Sequence, residues 1–533
     1  ITRVSSPVAS EEDGMNLLTM SNARYINFAR NKVFDVVARS VVNGSYHQDT
    51  AYNYEPAIAI CEGNSFEYVR GVNMSNEVKT IFLQGYASKV DTNTFTDVFG
   101  RHVDILSNYN ADIPPSARGN IYRSKITNNS HAWTLARIAD AGHLNDEAGV
   151  IYCRYGDVEV ANNHMDFTNC QLVSNIYSAI AVRHGYYSAT IEGNAIINPI
   201  AHAILADISD AIDIDSCNVF IKKNTIENAL NANRKPIKVA NNSNTYSKVF
   251  GHVDIQDNEC EYTPSSKFIE IDQAPFSDVD FICKSMVIEN NFNKKFNKWD
   301  DVNFRAFPEY LNAPNSKIVM QFDESATNAD GVVNNPVAAL DSMSKYKCKE
   351  LTLQIEPSVL TDITISGPEA YKPLSNYTII DANNGTARLK FAAIETDQTC
   401  ISFTLDNNHL LIDDTRVESA NAAGTTTSLI FLSGNWQCVI RDGEMQYGEI
   451  AVDTRGPDVA MLGTSVNDID KGGVGAVFYS YNGRFSAPKI TAENLTGANV
   501  TKLYEFLSPV FFAHENIGGT LPTTGTKSFT VVV

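Results

Sequence analysis

One short pattern recurs through the N-terminal part of the chain and restricts it to a stacked architecture. It runs apolar residue, two variable residues, Asn, one variable residue, second apolar residue. It appears as Phe28-Ala-Arg-Asn31-Lys-Val33, Val160-Ala-Asn-Asn163-His-Met165 and Ile191-Glu-Gly-Asn194-Ala-Ile196. It returns as Ile221-Lys-Lys-Asn224-Thr-Ile226, Ile255-Gln-Asp-Asn258-Glu-Cys260 and Val287-Ile-Glu-Asn290-Asn-Phe292. From Asn163 the steps between successive Asn residues are 31, 30, 34 and 32 residues. Weaker versions lie at Ile105 to Asn108 and at Val69 to Met74, where Val72 stands in the place of Asn.

A unit of about 30 residues cannot bury its own apolar face, so it must stack on copies of itself. Each unit reads as two short strands around a tight corner. Asn suits the corner because it tolerates left-handed backbone angles and can bond to its neighbours. Stacked coils would align these Asn side chains into a ladder. Period-two alternation is plain in Val158-Glu-Val160 and Val253-Asp-Ile255. The Leu-x-x-Leu-x-Leu consensus of leucine-rich repeats is absent. The expected class is therefore all-β, a right-handed parallel β-helix.

The rhythm breaks at 111–148, which holds Pro114-Pro115 and Asn128-Asn129-Ser130-His131 and reads as a long excursion with one irregular coil. It fades again near Asn293-Lys-Lys-Phe-Asn-Lys-Trp299, and Pro308 and Pro314 suggest a junction. The main helix is thus expected over 1–312. A second β-rich domain follows over 316–495, either a shorter β-helix or a sandwich. It opens on a short helix at Asn335–Met343 and continues in strands such as Leu351-Thr-Leu-Gln-Ile355 and Tyr377-Thr-Ile-Ile380. Residues 496–533 form a tail whose apolar end, Phe529-Thr-Val-Val-Val533, suits a partner strand from another subunit.

The charge balance limits the partners. With 42 basic against 62 acidic residues the net charge is −20, and no Lys/Arg-rich run offsets it, which argues against nucleic acid or an anionic membrane. No stretch approaches the ~20 apolar residues of a membrane span. The nine cysteines are scattered and read as buried free thiols, which fits folding in a reducing compartment. The chain begins at Ile1, and a preceding segment is expected to have been trimmed. No spacing of His47, His131 or His202 suits a metal, and no nucleotide fingerprint appears, so neither metal nor cofactor is expected.

Aligning the coils shows which side chains share a face. Ile151-Tyr-Cys-Arg154, Ile180-Ala-Val-Arg183, Ile204-Leu-Ala-Asp207, Ile237-Lys-Val-Ala240 and Ile269-Glu-Ile-Asp272 each place residues one and three inward, so residues two and four point out. One outer column reads Tyr152, Ala181, Leu205, Lys238, Glu270. Its neighbour reads Arg154, Arg183, Asp207, Ala240, Asp272, with His184 and Asp210 just past the strand ends. Aromatic surface, cations and carboxylates together suit a carbohydrate, and Arg suits an acidic sugar. Rungs roughly 4.8 Å apart would put Asp207 and Asp272 at a spacing that side chains can adjust to an inverting glycosidase pair. Glu270 is the further catalytic candidate, and Trp133, in the irregular excursion, is a candidate sugar platform. The plain alternative is a solvated face on which Arg183–Asp207 is a surface ion pair.

The Asn-cornered coils, the acidic balance and the all-β pattern resemble phage tailspikes, the β-helical depolymerases of bacterial surface polysaccharides. The resemblance covers roughly 20–300 and loosens after 316. It implies a homotrimer on a virion tail, joined to other tail proteins through a missing N-terminal part. It also implies a capsule or O-antigen polysaccharide as ligand, and hydrolase or lyase chemistry. The Asn-Thr-Asp and Gly-His-Gly signatures of polygalacturonases and the Arg-x-Pro-x-x-Arg of pectate lyases are absent. A non-cleaving receptor-binding adhesin would need the same wall. A lyase would use His184 or Lys238 as base, with Arg183 neutralising a uronate.

Overall fold

The computed structural model describes residues 16–322 apart from 47–56, 71–77, 107–122, 135–148, 171–177, 184–186, 210–215, 243–248, 274–282 and 305–309. It also describes a strand at Thr2–Ser5 and further strands up to Gly518. The described residues contain strands and no α-helix. The chain divides into two compact units, Ile1–Asn315 and Ser316–Val533.

The first unit is a parallel β-helix. Each coil gives one strand to each of three parallel sheets, so every third strand is a neighbour. One coil shows the order. Ile151–Arg154 lies in the second sheet, Asp157–Ala161 in the third, and His164–Asp166, after the Asn163 corner, in the first. The apolar side chains chosen by the pleat meet inside: Ile151, Cys153, Val158, Val160 and Met165 are all buried.

The corners confirm the ladder and extend it. Asn31, Asn64, Asn93, Asn129, Asn163, Asn194, Asn224, Asn258 and Asn291 follow one another, each amide Nδ2 donating to the Oδ1 of the next at 2.8–3.1 Å. Asp300 ends the run, its Oδ1 accepting from Asn291 N at 2.7 Å and from Asn291 Nδ2 at 2.9 Å. Each interior Asn also reaches back to a carbonyl, as Asn163 Nδ2 does to Ile126 O at 3.0 Å. Every buried amide of the ladder is thereby satisfied, as a buried polar group must be.

Four expectations change here. The ladder position in the last coil is Asn291, not Asn290; the core residue after it is Asn293, buried and donating to Ser265 O and Ser266 O. The corners near the start are Asn64 and Asn93, not the weak matches at Val69 and Ile105, which lie inside strands Ser65–Arg70 and Arg101–Leu106. The coil expected within 111–148 is regular, not irregular, where it is described. Arg123–Thr127, Asn129 and Ser130–Ala132 make a regular part of a coil within it. Finally, the left-handed residue at each corner is not the ladder Asn but its predecessor: Arg30 (φ 58), Gly63 (65), Thr92 (54), Asn128 (56), Asn162 (55), Gly193 (66), Lys223 (53), Asp257 (55) and Asn290 (59). The turn is made one residue early, which frees the Asn side chain to face its neighbours. At Gly193 a Cβ would sit 2.6 Å from Asn162 Oδ1, so a larger residue here would require the Asn162 side chain to move.

The core carries an aromatic stack across coils. Phe66, Phe95 and His131 share a register column, with ring centroids 5.0 and 4.8 Å apart. His102 joins from the second sheet, its Nδ1 2.7 Å from His131 Nδ1, so one ring must donate and the other accept. Burial drives His102 down to about 3 and His131 well below the usual histidine range, so the pair is held neutral. Six of the seven cysteines described at side-chain level are buried, and burial pushes the Cys61 thiol up to about 12.

In the second unit the described strands also pair in parallel: Tyr346–Ile355 with Asn376–Asp381, that strand with Thr399–Asp413, and Thr399–Asp413 with Ser428–Arg441. A sandwich would be built of antiparallel pairs, so this unit is a second parallel stack. Val500–Phe506 and Phe511–Gly518 continue it by pairing with Gly475–Ser480 and Arg484–Glu493. The expected helix at 335–343 and the apolar end at 529–533 lie outside the described residues.

Candidate functional site

The outer face of the second sheet carries the candidate residues, in the register read from the sequence. Tyr152, Ala181, Leu205, Lys238 and Glu270 are successive partners in one column, and Asp207, Ala240 and Asp272 in the next. Arg154 pairs with Arg183, and Arg183 Nε donates to Asp207 Oδ2 at 2.7 Å. Asn303 extends the first column beyond Glu270, donating its Nδ2 to Glu270 Oε2 at 3.2 Å.

The face is not the open polar strip that the alternation implied. Tyr152, Ala181 and Leu205 form a buried apolar cluster. Asp207 is fully buried, and Glu270 and Asp272 are only 8% and 6% exposed. The Arg183–Asp207 contact is therefore a buried ion pair rather than a surface one. Buried charges persist only when paired and hydrogen-bonded, and every carboxylate here has a cation. Lys238 Nζ lies 2.9 Å from Glu270 Oε1 and also contacts Asp272 Oδ2.

Sequence reasoning missed the upper end of the site. Asp104, fully buried, pairs in register with Tyr152. It gathers Arg101 Nη1 at 2.6 Å, Arg154 Nη2 at 3.0 Å and Lys79 Nζ at 3.5 Å. Arg101 and Arg154 flank the Tyr152 ring, at 4.3 and 4.9 Å from its centroid. Burial, reinforced by Asp104 against the opposing guanidiniums, pushes the Tyr152 phenol up to about 12. The signal was present: Val103-Asp-Ile105 alternates as the later strands do.

Trp133 does not belong to the site. It is 5% exposed, its Nε1 donates to Val98 O at 3.1 Å, and its ring stacks on Phe167 at 4.8 Å inside the coil. It follows the first-sheet strand Ser130–Ala132, whose pleat turns it inward. His184 and Asp210 lie outside the described residues. No group of His, Cys, Asp and Glu among the described residues has a metal-binding arrangement.

Chemically, the wall offers two carboxylates in one column, Asp207 and Asp272, two rungs apart and so about 9–10 Å apart at the backbone. A third, Glu270, stands beside Asp272 on the same strand. Comparison with protein-family models, with curated proteins and with solved structures returns no match to this chain.

Proposed function

We propose that the second sheet binds a bacterial surface polysaccharide and cleaves it by endo-glycosidic hydrolysis, in the manner of a phage tailspike. The observation that carries this reading is the Asp207–Ala240–Asp272 column, with Glu270 beside it and Lys238 between the acids. An inverting hydrolase needs one carboxyl group to protonate the leaving oxygen and another, roughly 6.5–9.5 Å away, to activate water. Asp207 and Asp272 provide that pair once side-chain reach is added to the rung spacing. An acidic sugar would assist, because its carboxylate would compete for Arg183 and release Asp207 to the substrate. The same reading makes the protein a homotrimer on a virion tail, acting outside the host cell.

One observation favours a second reading, a non-cleaving adhesin with the same ligand. Asp207, Glu270 and Asp272 each already hold a cation. Incubation with surface polysaccharides from a bacterial panel separates the two. New reducing ends without unsaturated uronate absorbance mean hydrolysis, and both signals mean elimination. A glycan that binds and yields neither supports the adhesin. Asp207→Asn and Asp272→Asn are each expected to slow cleavage by about 10²-fold or more, the usual worth of a general acid or base. Near-full cleavage by Asp207→Asn, Glu270→Gln and Asp272→Asn alike would remove these residues from the chemistry. Light scattering should give three times the 58.6 kDa of one chain.

A further inference from the structure

The outer face of the third sheet carries a second constellation, on a different wall from the Asp207–Asp272 column. In the strand Ser216–Lys222, Asn218, Phe220 and Lys222 alternate outward. Their register partners in Val249–Gln256 are His252, Asp254 and Gln256. On the preceding rung Ser188, Thr190 and Glu192 take the same positions. The result is a grid of outward side chains with one aromatic ring at its centre.

Phe220 is a half-buried ring among mostly polar outward neighbours, with Val287 beyond Asp254 in the same column. His252 tilts against it with ring centroids 5.5 Å apart, and Lys222 Nζ lies 5.6 Å from its centre. Asp254, directly opposite Phe220, is 7% exposed. Its Oδ2 lies 2.6 Å from Lys222 Nζ and 3.6 Å from His252 Nε2. Its Oδ1, buried as well, has no hydrogen-bond partner among the described residues. A buried carboxylate oxygen without a donor is costly, and such a group calls for an explanation in a bound donor.

A partner that satisfies both features must have an apolar face for the ring and a hydroxyl donor at its edge. A pyranose has both: axial C–H groups on one face and equatorial hydroxyls around the rim. Lys222 and Asp254 cancel in charge, so the grid favours an uncharged sugar over a uronate. We propose that Phe220, with Asp254, His252 and Lys222 around it, is a binding subsite for a neutral pyranose, Phe220 stacking on the sugar and Asp254 Oδ1 accepting from a hydroxyl. This subsite does not depend on cleavage at the second sheet.

Saturation-transfer NMR on the full chain tests it, with the methyl pyranosides of glucose, galactose, mannose and N-acetylglucosamine as probes. At least one is expected to receive saturation at its ring C–H protons. Phe220→Thr, a β-compatible change at a half-exposed position, should weaken that binding roughly tenfold, about 1.4 kcal/mol. Phe220→Tyr should retain it, and Asp254→Ala should lose it. Circular dichroism of each variant establishes that the coil is intact. Transfer to none of the four pyranosides, or undiminished transfer in folded Phe220→Thr, overturns the subsite. Because Asp207→Asn leaves Phe220 untouched, its saturation transfer should match that of the unaltered chain whether or not cleavage is lost, so retained cleavage counts against the hydrolytic reading alone and absent transfer against the subsite alone.

Discussion

Replacing Asn163 by Ala tests the ladder at its centre. Its Oδ1 accepts from Asn129 N at 3.0 Å and Asn129 Nδ2 at 2.9 Å. Its Nδ2 donates to Asn194 Oδ1 at 2.9 Å and Ile126 O at 3.0 Å. The site is 1% exposed, so water cannot replace these bonds without opening the coil. At about 1 kcal/mol for each buried bond lost, the change should cost on the order of 4 kcal/mol, more if Asn129 N stays unsatisfied. Asn31 is the internal comparison. It opens the ladder, and its amide donates to Asn64 Oδ1 and Ala29 O, with no preceding Asn donating to it among the described residues. Asn31→Ala should therefore cost half as much or less. Urea unfolding of the full chain, followed by far-ultraviolet circular dichroism, measures both. A loss under about 1 kcal/mol at Asn163, or equal losses at the two positions, would refute the view that the ladder stabilises the coils through its own hydrogen bonds.

Other perturbations follow from the same coordinates. Thr92 is β-branched at φ 54, and left-handed backbone costs such a residue about 1–2 kcal/mol. Thr92→Gly should therefore stabilise by up to ~1 kcal/mol after the added chain entropy of Gly, and a lowered urea midpoint would contradict this. The neutral His102–His131 pair has a depressed folded pKa, so the unfolded chain binds more protons below the ordinary value of 6.5. Stability from the pair is present above 6.5 and is lost as pH falls toward about 3. The melting temperature should drop across that window, and His131→Phe, which continues the Phe66–Phe95 stack, should flatten the drop; superimposable pH profiles would count against it. Trp133→Ala should cost about 3–5 kcal/mol as a core truncation and leave glycan affinity unchanged, measured by thermal melting and by binding at a permissive temperature.

Much of the first unit was legible because a solenoid repeats its constraints. The Asn period placed the corners, and the pleat then assigned Tyr152, Lys238 and Glu270 to one outer column and Asp207 and Asp272 to the next. The errors were local. Cys61-Glu-Gly-Asn64-Ser-Phe66 and Val90-Asp-Thr-Asn93-Thr-Phe95 fit the pattern better than the weak matches at Val69 and Ile105. Asn129 escaped because its inward partner is His131, a polar residue that only a second buried ring makes acceptable. The pattern points to Asn290 rather than Asn291 because Phe292 looks like the core residue, whereas the core position belongs to Asn293.

Alternation along a strand tells which side of the sheet a residue faces, since that depends only on the pleat. Together with the Asn repeat, which requires stacked coils, it determines the membership of each outer column. It says nothing of what lies over that side, because burial depends on segments distant along the chain. Only the tertiary structure decided that Asp104 and Asp207 are buried, that Arg183, Lys238 and Arg154 are committed to carboxylates, and that Trp133 points into the core. It also placed the left-handed backbone at the residue before each ladder Asn, a one-residue offset that the apolar-Asn-apolar spacing does not specify.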